Sequence, residues 1–116
     1  MSKNADKVVN AAEDENINNW VWKLSKPVTY NGEEVSELTF NFEKITGRDA
    51  IEIEGELVSS GKIALYSQVS NVHYIIRVAA RACEKPIGID IFDLVSISDF
   101  NSLRTHTQLF LVRTPQ

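Results

Sequence analysis

The chain has 116 residues, of which 43% are hydrophobic and 24% charged, and its 16 acidic and 12 basic residues give a formal net charge of −4. A domain of this length forms one modest core with little room for a deep cleft, and its acid excess is not the basic footprint of a nucleic-acid-binding protein. Cys83 is the one cysteine, which excludes an internal disulfide and a thiolate metal cluster within one chain.

The first 19 residues are polar, rich in Asn, Asp and Glu, and without a sustained period. They predict a flexible acidic tail ahead of a single α+β domain over residues 20–116. The N-terminus lacks the apolar core of a signal peptide, and no run approaches the roughly 20 apolar residues of a membrane span. We therefore expect a soluble, cytosolic protein that does not contact membranes.

Residues 20–42 predict an antiparallel β-hairpin. Trp20, Trp22 and Leu24 recur at every second position, which is strand spacing. Asn31-Gly32 separates two strand-like runs, and both residues tolerate the positive φ of a tight hairpin turn. Residues on one face of the return arm are apolar, namely Leu38, Phe40 and Phe42.

Three helices are predicted after the hairpin, near residues 47–58, 66–84 and 97–112. Thr46 with Asp49 forms a variant capping box for the first helix, and Pro86 stops the second. Ser96 or Ser98 can cap the third. Strands followed by a cluster of helices indicate an α+β fold. The predicted core takes one apolar face from each element and contains Leu38, Phe40, Ile51, Val72, Ile76, Ala79, Phe100, Leu103 and Phe110.

Residues able to support catalysis or hold a metal are sparse. His73 and His106 each lack a His or Cys three or four residues further on that would complete a metal site. Cys83 lies on an apolar helical face, where a thiol is buried and unreactive. The segment 55–62 resembles a phosphate loop, but it has five residues between its glycines instead of four, and Ile63 follows its lysine. We predict no catalytic residue, cofactor or metal, and hence no enzyme.

A partner-binding role rests on acidic and aromatic residues. Residues 33–56 hold eight acidic residues against two basic ones, which indicates either a solvated face or a surface that steers a basic partner. The two tryptophans are either exposed anchors, or one faces the core while the other covers the sheet. Pairing of the strand edge near them would permit weak self-association. The candidate partner-binding residues are Trp20, Trp22, Tyr30, Glu52 and Glu56.

Three stretches resemble the tail assembly chaperones of long-tailed bacteriophages, of the type found in P2- and Mu-like phages. Together they span about residues 20–112, and residues 1–19 and 66–73 depart from the family pattern. The matching motifs are Leu24-Ser25-Lys26-Pro27 and Val35-Ser36-Glu37-Leu38-Thr39 in the hairpin, Ile45-Thr46-Gly47-Arg48-Asp49 before the first helix, and Ser98-Asp99-Phe100 and Phe110-Leu111 in the last.

The resemblance implies a protein that acts in the host cytoplasm and is absent from the mature virion. Such proteins bind the long helical tape measure protein, keep it soluble and help to recruit tail tube subunits around it, without catalysis. No individual binding residue transfers from the family. Two other classes stay open, namely a structural tail or head–tail component retained in the particle, and a small acidic inhibitor or antitoxin-like protein.

Overall fold

The computed structural model describes residues 18–62 and 68–113. A two-stranded antiparallel sheet precedes three α-helices, which confirms the predicted α+β fold with its N-terminal hairpin. The predicted tail over residues 1–19 lies outside the described residues except for its last two. The strands are β1 (Asn19–Tyr30) and β2 (Glu33–Asn41), and the helices are α1 (Gly47–Ser60), α2 (Val72–Ala82) and α3 (Ile97–Val112).

The hairpin turn lies at the predicted position. Tyr30 pairs with Glu33, and the two residues between them, Asn31 and Gly32, have φ values of 52° and 78°. Two successive positive φ values define the type I′ turn, whose twist matches that of the flanking strands. The Asn-Gly pair therefore sets the register of the sheet from the turn outward.

A large bulge interrupts β1. Lys23 pairs with Glu37 and Val28 with Val35, so residues 24–27 of β1 lie opposite Ser36 alone. Pro27 lies within the bulge, where its missing N–H removes no ladder hydrogen bond. The bulge turns the backbone N–H of Ser25 toward the start of α3, and β1 is joined to that helix there.

Local side-chain signals set the ends of α1 and α3. Thr46 and Asp49 form the predicted capping box, with the Thr46 N–H donating to the Asp49 carboxylate at 2.8 Å. Gly61 ends α1 in the left-handed region, with φ at 71°. Ser96 caps α3 by accepting from the Asp99 N–H at 3.1 Å.

The second helix begins later than predicted. The Asn71 side chain accepts from the His73 N–H at 2.9 Å, which caps a helix that starts at Val72. Tyr66, where the sequence predicted the start, lies outside the described residues. After α2 the chain turns extended and pairs with β2, where the Glu84 N–H donates to the Thr39 carbonyl at 2.8 Å.

The core lies between one face of the sheet and the three helices. Leu38, Phe40, Ala79 and Leu103 are buried as predicted. Phe110 is half-buried against them. The other buried apolar residues are Trp22, Leu24, Val35, Phe42, Ile53, Leu57, Tyr74, Ile75, Val78, Ala82, Cys83, Ile91 and Phe92.

The predicted burial of Ile51 is wrong, because this side chain is 68% exposed. Ile53 and Leu57 supply the buried face of α1 instead. The helix carries apolar residues on two faces, and spacing alone does not decide which one packs against α2.

Candidate functional site

An apolar groove opens between α2, the 3-10 helix Ile89–Asp93 and the start of α3. Its volume is about 330 Å³. Phe92 is buried at its base, and Ile97, at its mouth, is 73% exposed. The groove is lined by Val72, His73, Ile76, Phe92, Asp93, Val95, Ile97 and Phe100.

The groove exists because α2 has more apolar surface than the core covers. Its buried side chains share one face and include Ile75, Val78 and Ala82. Val72 and Ile76 lie on the adjacent side and are only half-buried. The sequence predicts these two residues and Phe100 to be core. Ile76 and Phe100 do pack against the core, and all three are half-buried and also line the groove. The sequence signal for the groove is the apolar stripe of α2, which is too wide to be covered by contact with the core alone.

His73 and Asp93 are the titratable groups in the groove lining. Burial lowers the pKa of His73, and the nearby positive charges of Lys62 and Arg77 lower it further. The imidazole is therefore neutral at pH 7. A neutral ring preserves the apolar character of this end of the groove.

Trp22 is not a surface anchor, since it is 1% exposed. Its indole N–H donates to the Asp99 carbonyl at 3.1 Å, which ties β1 to α3. Trp20 is half-buried and stacks on the His106 ring, with centroids 4.1 Å apart and planes 7° from parallel. The structure thus buries Trp22 in the core and places Trp20 half-buried at the edge of the core, between β1 and α3. Trp22 is therefore not part of an exposed binding surface.

The other predicted partner-binding residues are engaged within the chain and do not form one patch with the tryptophans. The Tyr30 hydroxyl donates to Asp90 at 2.7 Å and accepts from the Gly88 N–H at 3.0 Å, at the turn end of the hairpin. Glu52 and Glu56 contact Arg81 at 2.7 and 3.0 Å. Both acids lie between α1 and α2, so part of the acidic run serves to join these helices.

Arg81 is the centre of this ion-pair cluster. It also contacts Asp49 at 2.9 Å, and Arg77 contacts Glu56 at 3.3 Å. A hydrogen bond from the Thr46 backbone lowers the pKa of Asp49, and the hydrogen bond from Arg81 lowers it further. The cluster replaces part of the apolar contact that α1 would otherwise need.

We expect Arg81→Met to lower the free energy of unfolding by about 1 kcal/mol. Partly exposed ion pairs each contribute little, but this substitution removes three of them at once, because three acids share the Arg81 guanidinium. The loss should shrink in 1 M salt, where the Debye length falls to about 3 Å. Urea denaturation at low and high salt measures both effects. Arg48→Met on the exposed side of α1 is the matched control, and equal losses in the two variants would contradict the assignment.

The sites considered for metal, thiol or phosphate chemistry have structural roles. Cys83 is buried, burial raises the pKa of its thiol, and its backbone bridges to Phe40. Within residues 18–62 and 68–113, no group of three His, Cys, Asp or Glu side chains could hold a metal ion. The segment 55–62 is the end of α1 with its C-cap Gly61, and a helix does not wrap a phosphate as a phosphate loop does.

No helix in the described part of the chain is long and apolar enough to cross a membrane. No protein-family model, curated protein or solved structure matches this chain.

Proposed function

We propose that the protein is a non-catalytic tail assembly chaperone, and that the groove between α2 and α3 docks an apolar-faced helix of the tape measure protein. The groove itself is the observation that supports this most. Its apolar walls belong to α2 and α3 and are only partly buried by the rest of the protein. An amphipathic helix docks in such a groove through anchor side chains one turn apart. The family resemblance supplies the identity of the partner.

The groove is large enough to hold a few side-chain anchors. A volume of about 330 Å³ lies at the lower end of the roughly 300–1,000 Å³ of small-molecule pockets. The groove is open along its length, and its lining holds two titratable side chains among eight residues. Apolar side chains projecting from a partner helix would contact the apolar part of this lining.

The net charge of the protein indicates which charges the partner carries outside its apolar face. The chain carries a net charge of −4, so long-range attraction favours a partner with basic flanks and makes association salt-sensitive. On this proposal the protein works in the host cytoplasm, where it holds the tape measure protein soluble while tail tube subunits assemble, and it leaves before the virion is complete.

Ile97→Glu is expected to weaken binding to the co-expressed tape measure protein at least about tenfold, because it places a charge at the mouth of an apolar groove. Ile97 is largely exposed, so the free energy of unfolding should stay within about 0.5 kcal/mol of wild type. Recovery of the soluble complex, followed by titration of the purified partners, measures the effect.

Leu109→Glu is the matched control, since Leu109 is an exposed apolar residue on the same helix outside the groove lining. Equal weakening by both substitutions would contradict groove docking. Recovery of the protein from purified particles would instead favour a structural tail component.

A further inference from the structure

The outward face of α1 carries a second exposed apolar feature. Ile51 and Val58 are 68% and 63% exposed, and they lie seven residues apart on the helix. Gly55 and Glu54 lie between them, at three- and four-residue spacing from both, so all four are neighbours on the helix surface.

Gly55 is not required by the described fold. Its φ is not in the positive range, and among the described residues nothing lies within 4 Å of the position that a Cβ would occupy. Glycine in a helix interior weakens the helix relative to alanine. Glycine at this position leaves a notch between two exposed apolar side chains.

We propose that Ile51, Glu54, Gly55 and Val58 form a hole that receives a large apolar side chain from a basic partner helix. Residues at positions i, i+3, i+4 and i+7 are the four that surround a knob when two helices pack together. The missing side chain at Gly55 deepens the hole and lets the partner backbone approach closely.

The charges around the hole favour a basic partner. α1 carries Asp49, Glu52, Glu54 and Glu56 against Arg48. Arg81 and Arg77 pair with three of these acids, and Glu54 forms no ion pair within the described part of the chain. A lysine or arginine beside the knob would pair with Glu54.

A second copy of the chain fits the hole poorly. Two antiparallel α1 helices that cross at Gly55 would place the two Glu54 side chains against each other, and like charges at that distance repel.

The hole is separate from the groove between α2 and α3. Arg77 and Arg81 face α1, and they lie about 140° around α2 from Val72 and Ile76, at 100° per residue. The inference about α1 therefore does not rest on the groove, and the two surfaces can be tested one at a time.

The probe is a synthetic helical peptide of leucines at three- and four-residue spacing flanked by lysines, titrated by calorimetry into the full-length protein. We expect the wild-type protein to bind this peptide. Gly55→Leu fills the hole and Ile51→Ser removes one of its walls, and each variant should weaken peptide binding at least about tenfold. Glu54→Gln should weaken it about three- to fivefold at low salt and have little effect in 0.5 M salt. A matched peptide with glutamates in place of the lysines should not bind.

Gly55→Leu should raise the midpoint of thermal unfolding by a few degrees, because leucine is the better helix former. A loss of binding by this variant therefore reflects a filled hole and not a damaged fold, and Ile51→Ser provides the same test independently. Because a basic amphipathic peptide also suits the groove, the same variants are titrated again in the Ile97→Glu background, where the groove is blocked and the weakening by Gly55→Leu and Ile51→Ser should persist. Peptide binding that is lost in Ile97→Glu but kept in Gly55→Leu and Ile51→Ser would overturn the proposed hole and support docking in the groove. Failure of the lysine peptide to bind the wild-type protein would also overturn the proposed hole.

Discussion

Trp22→Ala is expected to lower the free energy of unfolding by about 3–5 kcal/mol, the range for removing a large aromatic side chain from a core. The Trp22 ring packs against Trp20, Phe40 and Phe92, with centroids 6.0 to 6.3 Å away. The substitution also removes the indole N–H that donates to the Asp99 carbonyl. Small domains have about 5–15 kcal/mol of stability in total, so the variant should be close to unfolded. Urea denaturation followed by circular dichroism measures the change.

Two variants separate the contributions of the ring and the hydrogen bond. Trp22→Phe keeps most of the ring and loses the N–H, so the expected loss is about 1–3 kcal/mol. Trp20→Ala removes a half-buried ring from the neighbouring site and should cost less than Trp22→Ala. A larger loss of unfolding free energy in Trp20→Ala than in Trp22→Ala would contradict the position of Trp22 in the core.

Asp99→Ala is expected to lower the free energy of unfolding by about 2–3 kcal/mol, because it removes charge-assisted hydrogen bonds at a helix N-terminus. The buried carboxylate accepts from the Ser25 N–H at 2.9 and 3.0 Å and from the Ser25 hydroxyl at 3.0 Å. These bonds join the bulge of β1 to α3. Asp99→Asn keeps the shape, loses the charge and should cost about half as much.

The pH dependence of stability should report the same contact. Burial raises the pKa of Asp99, but hydrogen bonds donated by Ser25, Ser96 and Lys26 outweigh it and leave the pKa below its ordinary value of 3.8. A lowered pKa stabilises the fold above the unfolded-state value, and this contribution disappears as pH falls through the folded-state value, below about pH 4.

Urea denaturation between about pH 2 and 7 should therefore give a shallower acid loss for Asp99→Asn than for wild type. Asp49, whose pKa is also lowered, contributes in both proteins and cancels from the comparison. Parallel curves for the two proteins would show that Asp99 is not held in its charged form by the fold.

The sequence predicted the features that depend on a few neighbouring residues. Asn31-Gly32 determines a turn by its own φ preferences. The Thr46–Asp49 pair and the Ser96 side chain cap the helices that follow them. The sequence did not predict the start of α2, although Asn71 is a good N-cap, because Val69 extends the three- and four-residue apolar spacing of Val72 and Ile76 to the other side of Asn71.

Features that depend on residues far apart in the chain could not be predicted from local sequence patterns. The choice between Ile51 and Ile53 for the core depends on which side of α1 packs against the rest of the fold, and that is not encoded in the spacing within α1. The burial of Trp22 depends on a hydrogen bond to a residue 77 positions away. The groove arises where α2 and α3 fail to cover each other, and periodicity within one helix contains no information about that.

The link between the bulge of β1 and the start of α3 has a consequence for synthesis. The hairpin leaves the ribosome first, yet Ser25 and Trp22 bond to Asp99 on the last described helix. Contacts this distant in sequence require closure of a long loop before they contribute. The nascent hairpin therefore presents its aromatic face to solvent until α3 has emerged. A chain interrupted before α3 would be a substrate for aggregation or proteolysis and not a smaller working domain.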